Sequence, residues 1–143
     1  MLRDMNCIFC KIVNDSTFAR IIDQNDRAIA FLDAFPLSVG HTLIVPKLHY
    51  SKVQDMDKEY SSDVFNLLWK VSGAVEKAAG VNASTIAIHN GREAGQEVPH
   101  VHVHIIPRSL HDGAGPVHSM FNERPKLSSR DLDLMLQSIK RIL

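Results

Sequence analysis

The sequence predicts an α+β domain with a five-stranded, mostly antiparallel sheet, one long helix and a C-terminal helix. Three observations predict this fold class: short segments alternate apolar and polar residues, two longer segments repeat apolar residues at helical spacing, and strands and helices follow one another irregularly. The 143 residues fit a single domain with a sizeable core. We expect that core to span residues 7–108, followed by a C-terminal extension over residues 109–143.

Short strands are expected wherever a β-rich run is bounded by turn residues. The third of these runs is opened by Gly40 and closed by Pro46. The fourth, "STIAIH", is separated from the fifth by a glycine-containing loop. The five predicted strands cover residues 20–23, 27–32, 40–47, 84–89 and 100–107.

Three segments are predicted to be helical. The run "CIFCKIV" is long enough for one or two turns, and a longer helix is expected over residues 57–79, ending before Gly80. Ser128 opens a Ser-x-x-Asp capping pattern, which predicts a last helix over about residues 129–142. The apolar stripes of the two longer helices are Val64, Leu67, Leu68, Val71 and Val75, and Leu132, Met135, Leu136, Ile139 and Leu143.

Composition excludes several classes of partner. The chain carries 16 basic and 16 acidic residues and no Lys/Arg cluster, so binding to a nucleic acid is not expected. It has no long apolar run and no signal-peptide pattern, so we expect a cytoplasmic protein that does not bind membranes.

Three histidines alternate with apolar residues in "PHVHVHIIPR": His100, His102 and His104. Alternation is the period of a half-buried strand, so the intervening valines and isoleucine are expected to face the core and the helices that cover one side of the sheet. The histidines would then share the other face, which is open to solvent or to a ligand. Since imidazole serves as nucleophile, acid–base group or metal ligand, this pattern predicts a functional site.

The chain has two cysteines, Cys7 and Cys10, in "CIFC". In a cytoplasmic protein this pair is expected to be a redox pair or part of a zinc site rather than a structural disulfide. A redox Cys-x-x-Cys usually follows a strand, and no strand is predicted upstream. From the residues alone, a zinc site and two small buried apolar side chains remain equally open.

A loop at residues 90–96 comes just before the histidines and contains two glycines. Glycines allow backbone N–H groups to approach a ligand closely. Such donors beside a row of imidazoles predict a phosphate site, in which one histidine attacks phosphorus and another handles protons.

The run "HVHVHII" at residues 100–106 resembles the motif of the histidine triad (HIT) superfamily of nucleotide hydrolases and transferases. Four segments match that superfamily in order: "CIFCKI", "AFLD", "GHTLIVPKLH" and "NGREAGQEVPHVHVHIIPR". The resemblance covers residues 7–108 and is most specific in its last twenty. It extends to the branches similar to protein kinase C inhibitor and to Fhit.

The resemblance implies a catalytic role for three histidines. His102 matches the nucleophile that attacks the α-phosphorus of a nucleotide and forms a nucleotidyl-histidine intermediate. His104 matches the residue that contacts the phosphate and the leaving group. His41 matches an upstream histidine that orients the nucleophile or relays protons to it.

The resemblance also implies a nucleoside pocket. Phe9 and Phe31 match apolar positions that line the base, with weaker matches at Ile8 and Ile22. Asp33 matches a position that hydrogen-bonds the ribose hydroxyls. The phosphate-binding loop would contain Asn90, Gly95 and Gln96.

Two residues depart from the superfamily pattern. His89 stands where one branch has Asn, so either His89 or Asn90 could make that contact. Glu97 stands where better-known branches have Ser or Thr as a donor to the leaving group. Because an ionised carboxylate cannot donate a hydrogen bond, the preferred leaving group is left open.

In members of the superfamily that retain both cysteines, the first histidine of the triad binds a structural zinc ion. The resemblance therefore implies one Zn²⁺ per chain, held in a closed tetrahedral Cys₂His₂ site. The matching ligands are Cys7, Cys10, His49 and His100.

The function expected from this resemblance is hydrolysis of nucleoside monophosphate conjugates, either phosphoramidates or dinucleoside polyphosphates, through a covalent intermediate. The substrate would be a purine nucleotide (an AMP or GMP conjugate), and the protein would be a homodimer. Two alternatives remain open: a zinc-dependent hydrolase in which His100 and His102 chelate a catalytic metal, and a nucleotide-binding regulator with little turnover.

Overall fold

A computed structural model describes residues 6–143 and confirms the predicted α+β class. The helices are α1 (Ile8–Asn14), α2 (Lys58–Ala78) and α3 (Ser129–Ile142); the strands are β1 (Ile21–Gln24), β2 (Ala28–Leu32), β3 (Thr42–Pro46), β4 (Ala83–Ala87) and β5 (Val103–Arg108). The chain divides into two compact units, Met1–Asp112 and Gly113–Leu143. All five strands belong to the first unit.

The strands form one sheet in the order β1-β2-β3-β5-β4, and every pairing is antiparallel. β5 therefore lies between β3 and β4. The register places His104 of β5 opposite Leu43 of β3 and Ala87 of β4. The last histidine of the triad is thus held in the middle of the sheet by both neighbouring strands.

Helix α2 covers one face of the sheet, as the apolar stripe predicts. Val64, Leu67, Val71 and Val75 are buried in a cluster with Ala28, Ala30, Ile44, Val101, Val103 and Ile105. Gly80 follows the helix with φ +72°, a conformation that glycine adopts without the steric cost of a Cβ atom.

The other face of the sheet is also covered in part, which differs from the expectation of helices on one face only. Alternate residues of β2 and β3 point to this side, and they pack against α1. The cluster consists of Cys7, Phe9, Cys10, Ile12, Ile29, Phe31, Leu43 and Val45. Cys7 and helix α1 are therefore part of the core.

The fifth strand begins at Val103 and not at His100 as predicted. The ladder with β3 stops there because Pro46 has no N–H group and its carbonyl accepts a hydrogen bond from His100 Nε2, at 2.9 Å. The backbone N–H of Val101 donates instead to the carbonyl of Tyr50, at 2.7 Å. The first two histidines of the triad precede the strand, where their side chains can take different directions.

The second unit contains helix α3, whose first residue follows the predicted cap. The Ser128 Oγ atom accepts a hydrogen bond from the Asp131 N–H (3.1 Å), and the Asp131 carboxylate accepts one from the Ser128 N–H (2.9 Å). None of the helix residues is buried. Within residues 6–143, no helix combines the length and apolar composition needed to cross a bilayer.

Candidate active site and metal centre

A cavity of about 620 Å³ opens on the face of the sheet that packs against α1. Apolar side chains of α1, β2 and β3 form much of its wall, and the residues around the triad form the rest. The lining residues that bear on chemistry are Phe9, Arg20, Phe31, Asp33, His41, His89, Gly95, Glu97, His102 and His104. Two histidines of the triad therefore share one cavity, whereas His100 is not part of its wall.

His102 is held in one tautomer by the backbone. Its Nδ1 atom lies 2.7 Å from the carbonyl oxygen of His100, and a carbonyl can only accept, so Nδ1–H is the donor. The Nε2 atom then carries the lone pair in the neutral ring. Burial lowers the pKa of His102, although the nearby Asp33 and Glu97 carboxylates act in the opposite direction. A neutral imidazole with a free Nε2 is a competent nucleophile.

A directed chain of hydrogen bonds joins His41 to His104. The Leu37 N–H donates to His41 Nδ1 at 3.0 Å, which leaves the proton of neutral His41 on Nε2. Nε2–H donates in turn to His104 Nδ1 at 2.9 Å. The proton of neutral His104 is therefore on Nε2. Burial lowers the pKa of His41, and burial followed by the neighbouring histidines lowers that of His104 to about 4, so both rings are neutral at pH 7.

The Nε2–H group at the end of this chain has no protein partner. Within residues 6–143, His104 Nε2 is the one buried side-chain nitrogen or oxygen without a hydrogen bond. Leaving a buried donor unsatisfied is costly, on the order of 1–3 kcal/mol. Such a group beside a cavity is a ready donor to a ligand oxygen or nitrogen.

Asp33 links the cavity wall to His41, the residue that precedes β3. Its Oδ1 atom accepts from the Phe35 N–H at 2.9 Å, and its Oδ2 atom lies 3.6 Å from His41 Nε2. Asp33, His41 and His104 therefore bring possible metal-ligand atoms within 4.8 Å of one another. Because His41 Nε2–H already donates to His104 Nδ1, hydrogen bonding accounts for this group without a metal.

The second group of potential metal ligands is Cys7, Cys10, His49 and His100, whose donor atoms lie within 4.8 Å of one another. The His100 Nδ1 atom is 3.5 Å from Cys7 Sγ and 3.6 Å from Cys10 Sγ, and His49 Nδ1 is 3.5 Å from Cys10 Sγ. Two thiols and two imidazoles converge from three distant parts of the chain. This is the donor set of a closed tetrahedral zinc site.

His100 is oriented for metal binding by its second nitrogen. Its Nε2–H donates to the Pro46 carbonyl, so Nδ1 carries the lone pair that faces the cysteines. A backbone carbonyl on the non-ligating nitrogen is the usual outer-shell partner of a metal-binding histidine. Burial lowers the pKa of His100 to about 4, which keeps the ring neutral and able to bind a metal.

The geometry does not support His100 and His102 as joint ligands of a catalytic metal. No group of three or more close donor atoms in residues 6–143 contains both rings. His100 Nδ1 faces the cysteines, whereas His102 Nδ1 donates to the backbone. The two histidines therefore belong to different sites.

Comparison with known proteins gives the family. The model of the HIT domain matches residues 15–111. The chain is a HIT-domain protein. It is 42% identical over 136 residues to an uncharacterized HIT-like protein of Methanocaldococcus jannaschii, covering 94% of this chain and 98% of that one. It is 40% identical over 104 residues to the adenosine 5′-monophosphoramidase of Schizosaccharomyces pombe, covering 73% of this chain and 75% of that one.

A solved structure agrees with this assignment. A member of the HIT family from Bacillus subtilis matches with a TM-score of 0.85 and 32% identity, over 96% of this chain and 97% of that chain. The HIT-domain match includes the whole sheet and the triad but begins after Cys7 and Cys10. The two cysteines therefore lie outside the matched residues.

The predicted nucleoside-binding residues of this HIT protein meet in the cavity. Phe9 and Phe31 both line it, with ring centroids 5.8 Å apart, and Asp33 lies at its edge after β2. Ile8 is part of the wall, whereas Ile22 is not. Phe9 also contacts the ring of His102, at 5.0 Å between centroids. The apolar wall therefore reaches the expected nucleophile.

Only one of the three predicted residues of the phosphate loop lines the cavity. Gly95, with φ +94°, lines the cavity. Asn90 and Gln96 do not, because their side chains connect the loop to residues 51–54 through hydrogen bonds to Val53 N, Gln54 Oε1 and Ser51 O. Of the two alternatives left open by the sequence, His89 lines the cavity, with its ring 5.5 Å from that of His104.

Several lining residues were not predicted as site residues. Arg20, Phe35 and Leu37 enter the wall from the segments around β1 and after β2. No periodicity or motif in those segments indicates such a role. Glu97 also lines the cavity, and its departure from the superfamily pattern was the one available signal.

Proposed function

We propose that this HIT protein hydrolyses nucleoside monophosphate conjugates with His102 as the covalent nucleophile. The observation that carries the proposal is the hydrogen bond from His102 Nδ1–H to the His100 carbonyl, at 2.7 Å, in a residue that lines the cavity. It leaves Nε2 with a lone pair and fixes the ring. The phosphoramidase activity named for the Schizosaccharomyces pombe relative supports the same class of reaction.

The reaction has two steps. In the first, the Nε2 lone pair of His102 forms a bond to the α-phosphorus, and the bond between phosphorus and the leaving group breaks with its electron pair going to the leaving atom. That atom takes up a proton from solvent. In the second, water attacks phosphorus, the phosphorus–nitrogen bond breaks, and His102 recovers its lone pair while the water releases a proton. The products are a nucleoside monophosphate and the protonated leaving group.

Other residues bind and orient in this scheme. The unpartnered Nε2–H of His104 would donate to a phosphate oxygen or to the leaving atom, where charge develops. The positive charge that His102 gains in the intermediate would be stabilised by the His100 carbonyl. Phe9 and Phe31 provide an apolar wall for a purine base, as in an AMP or GMP conjugate, and Asp33 provides a carboxylate for the ribose hydroxyls.

We further propose that Zn²⁺ occupies the site of Cys7, Cys10, His49 and His100, with a structural role. The orientation of His100 by the Pro46 carbonyl supports this assignment. When bound, the ion would supply a cross-link between the N-terminal segment and the sheet, since all four ligands come from the protein. The protein would act as a homodimer.

The test of the function is to trap the intermediate. Wild-type protein mixed with an adenosine phosphoramidate and quenched in base should gain the mass of one adenylyl group, and peptide mapping should place it on His102. His102→Ala should lose the adduct and at least about 10³-fold in turnover while still binding AMP. His118→Ala, which removes an exposed histidine of the second unit, is the matched control and should retain both.

Tight AMP binding without an adduct or turnover in the wild-type protein would overturn the enzymatic proposal. That result would favour a nucleotide-binding regulator.

A further inference from the structure

We propose that Glu97 selects substrates by the charge of the leaving group, favouring amines that carry a further positive charge over leaving groups that carry negative charge. The inference rests on the proposed nucleotidyl transfer to His102. It concerns the part of the substrate that is not the nucleotide.

The first observation is the position of Glu97. It follows the glycine-containing loop and precedes His100 by three residues, and its side chain lines the same cavity as His102. The Glu97 carboxylate and the His102 ring interact electrostatically. A group that leaves phosphorus after attack by His102 therefore departs from a cavity whose wall carries this charge.

The second observation is that the carboxylate of Glu97 is not engaged by the protein. Within residues 6–143 it forms no hydrogen bond and no ion pair. Asp33, the other carboxylate of the wall, accepts a hydrogen bond from the Phe35 N–H. A structural role in holding the loop is taken by Gln96, whose side-chain amide donates to the Ser51 carbonyl at 2.7 Å. Glu97 is therefore available to a ligand.

The third observation is the balance of charge around the cavity. Its wall contains one guanidinium, of Arg20, and two carboxylates, of Asp33 and Glu97. Arg20 comes from the segment before β1 and not from the loop beside the triad. His41, His102 and His104 add no positive charge, because burial keeps them neutral. The loop beside Glu97 carries one cation, Arg92, but this side chain is exposed and is not part of the cavity wall. A polyphosphate leaving group would therefore meet the Glu97 carboxylate with no cation of this loop in the wall.

These observations together define the favoured leaving group. A phosphoramidate releases an amine, which becomes an ammonium ion when its nitrogen takes up a proton. A carboxylate near that nitrogen stabilises the developing positive charge, and it attracts a second ammonium group further along the leaving group. It repels the terminal phosphates of a dinucleoside polyphosphate.

The experiment uses three adenosine monophosphate conjugates that differ only in the free end of the amine: ethylenediamine (positive), ethanolamine (uncharged) and β-alanine (negative). Values of kcat/KM are divided by that of the ethanolamine conjugate, which cancels changes common to all three. In wild-type protein the positive conjugate should be preferred over the negative one. Glu97→Gln, which keeps the shape and removes the charge, should reduce this preference about fivefold, and Glu97→Lys should reverse it.

The matched control is Glu93→Gln, which removes a carboxylate from the same loop but outside the cavity wall and should retain the wild-type preference. The preference of the wild-type protein should also shrink as the salt concentration rises, because Glu97 is exposed. An unchanged preference in Glu97→Gln and Glu97→Lys, or an equal change in Glu93→Gln, would overturn the proposal.

The inference can fail separately from the proposed function. His102→Ala protein binds the same three conjugates without turning them over, and calorimetry measures their affinities directly. If the wild-type protein forms no adduct, the function is wrong, and the affinities of the three conjugates for the Glu97 variants still decide whether this residue selects by charge. Equal affinity of the three conjugates in all variants would overturn the inference while leaving the nucleophile intact.

Discussion

The Nε2 atom of His41 lies 2.9 Å from the Nδ1 atom of His104, although the two residues are 63 positions apart in the sequence. Because His41 Nδ1 already accepts from the Leu37 N–H, the direction of this hydrogen bond is fixed. The proton of His104 is thereby left on Nε2, which has no hydrogen-bond partner within residues 6–143. We therefore propose that His41 is a positioning residue that acts through His104.

Replacement of His41 tests this relationship. In His41→Asn the side-chain oxygen can still accept from the Leu37 N–H but no donor reaches His104, whereas in His41→Gln an amide N–H can replace the ring donor. We expect His41→Asn to lower kcat by about tenfold or more with little change in KM, and His41→Gln to retain more activity. Steady-state kinetics of the two variants measure kcat and KM, and the pH profile of kcat is recorded for each variant. Equal losses in the two variants would indicate that His41 supports only the fold.

Removal of one cysteine tests the metal centre. Protein purified without chelators is expected to contain about one zinc per chain by elemental analysis. Cys7→Ser should weaken zinc binding about 100-fold or more, on the order of a quarter of the binding free energy of a four-ligand site. It should also lower the unfolding temperature.

His102→Ala is the control for this prediction and should keep its zinc, because the His102 ring is not part of the group of four. Stable protein without zinc, or zinc lost from His102→Ala, would contradict the assignment.

Acid should destabilise the protein through its buried histidines. Burial lowers the pKa of His104 to about 4 from its usual value of about 6.5, so the unfolded chain binds a proton that the folded chain does not. The free energy of unfolding therefore falls as the pH is lowered from about 6.5 through 4, by at most about 1.4 kcal/mol per pH unit for one proton. Thermal unfolding with bound zinc held equal measures this slope.

The matched comparison for acid destabilisation is between His104→Gln and His118→Gln. The first should show a shallower decrease in stability with falling pH than the wild type. The second removes an exposed histidine and should leave the slope as it is. If His104→Gln did not change the dependence of stability on pH, the His104 ring would be protonated to the same extent in the folded and unfolded states.

The proposed homodimer is expected to use helix α2 and strand β4. Trp69 of α2 is 85% exposed and Phe65 41% exposed, while β4 is an edge of the sheet with Ile86 49% exposed. Light scattering should give twice the chain mass of 16.0 kDa. Trp69→Glu should shift the protein toward the monomer, whereas Leu110→Glu, at a position 97% exposed elsewhere in the first unit, should not. A wild-type monomer at micromolar concentration would refute the prediction.

Elements set by local sequence were predictable. Helix α2 begins at Lys58 and ends before Gly80, within one residue of the expected range, because its apolar stripe and its glycine are both local features. The cap at Ser128 forms as its Ser-x-x-Asp pattern predicts. Burial of Val101, Val103 and Ile105 also follows from their alternation.

The directions of the polar side chains were not predictable from alternation. The three histidines do not form one exposed row: His100 is fully buried and His102 nearly so. The direction of His100 depends on contacts with Cys7 and Pro46, which are 93 and 54 residues away in sequence. Similarly, nothing local indicates that Asn90 would bond to Val53 while His89 faces the cavity.

Phe9 lies edge-on to the rings of both His100 and His102, at 5.7 and 5.0 Å between centroids. One side chain of α1 therefore contacts a ligand residue of the proposed zinc site and forms part of the cavity wall at the same time. Two ligands that both restrain the same element are thermodynamically linked, and the linkage is reciprocal. Occupation of the cavity by a nucleotide should slow amide hydrogen exchange throughout α1 and protect Cys10, which lies one position beyond Phe9, from alkylating reagents.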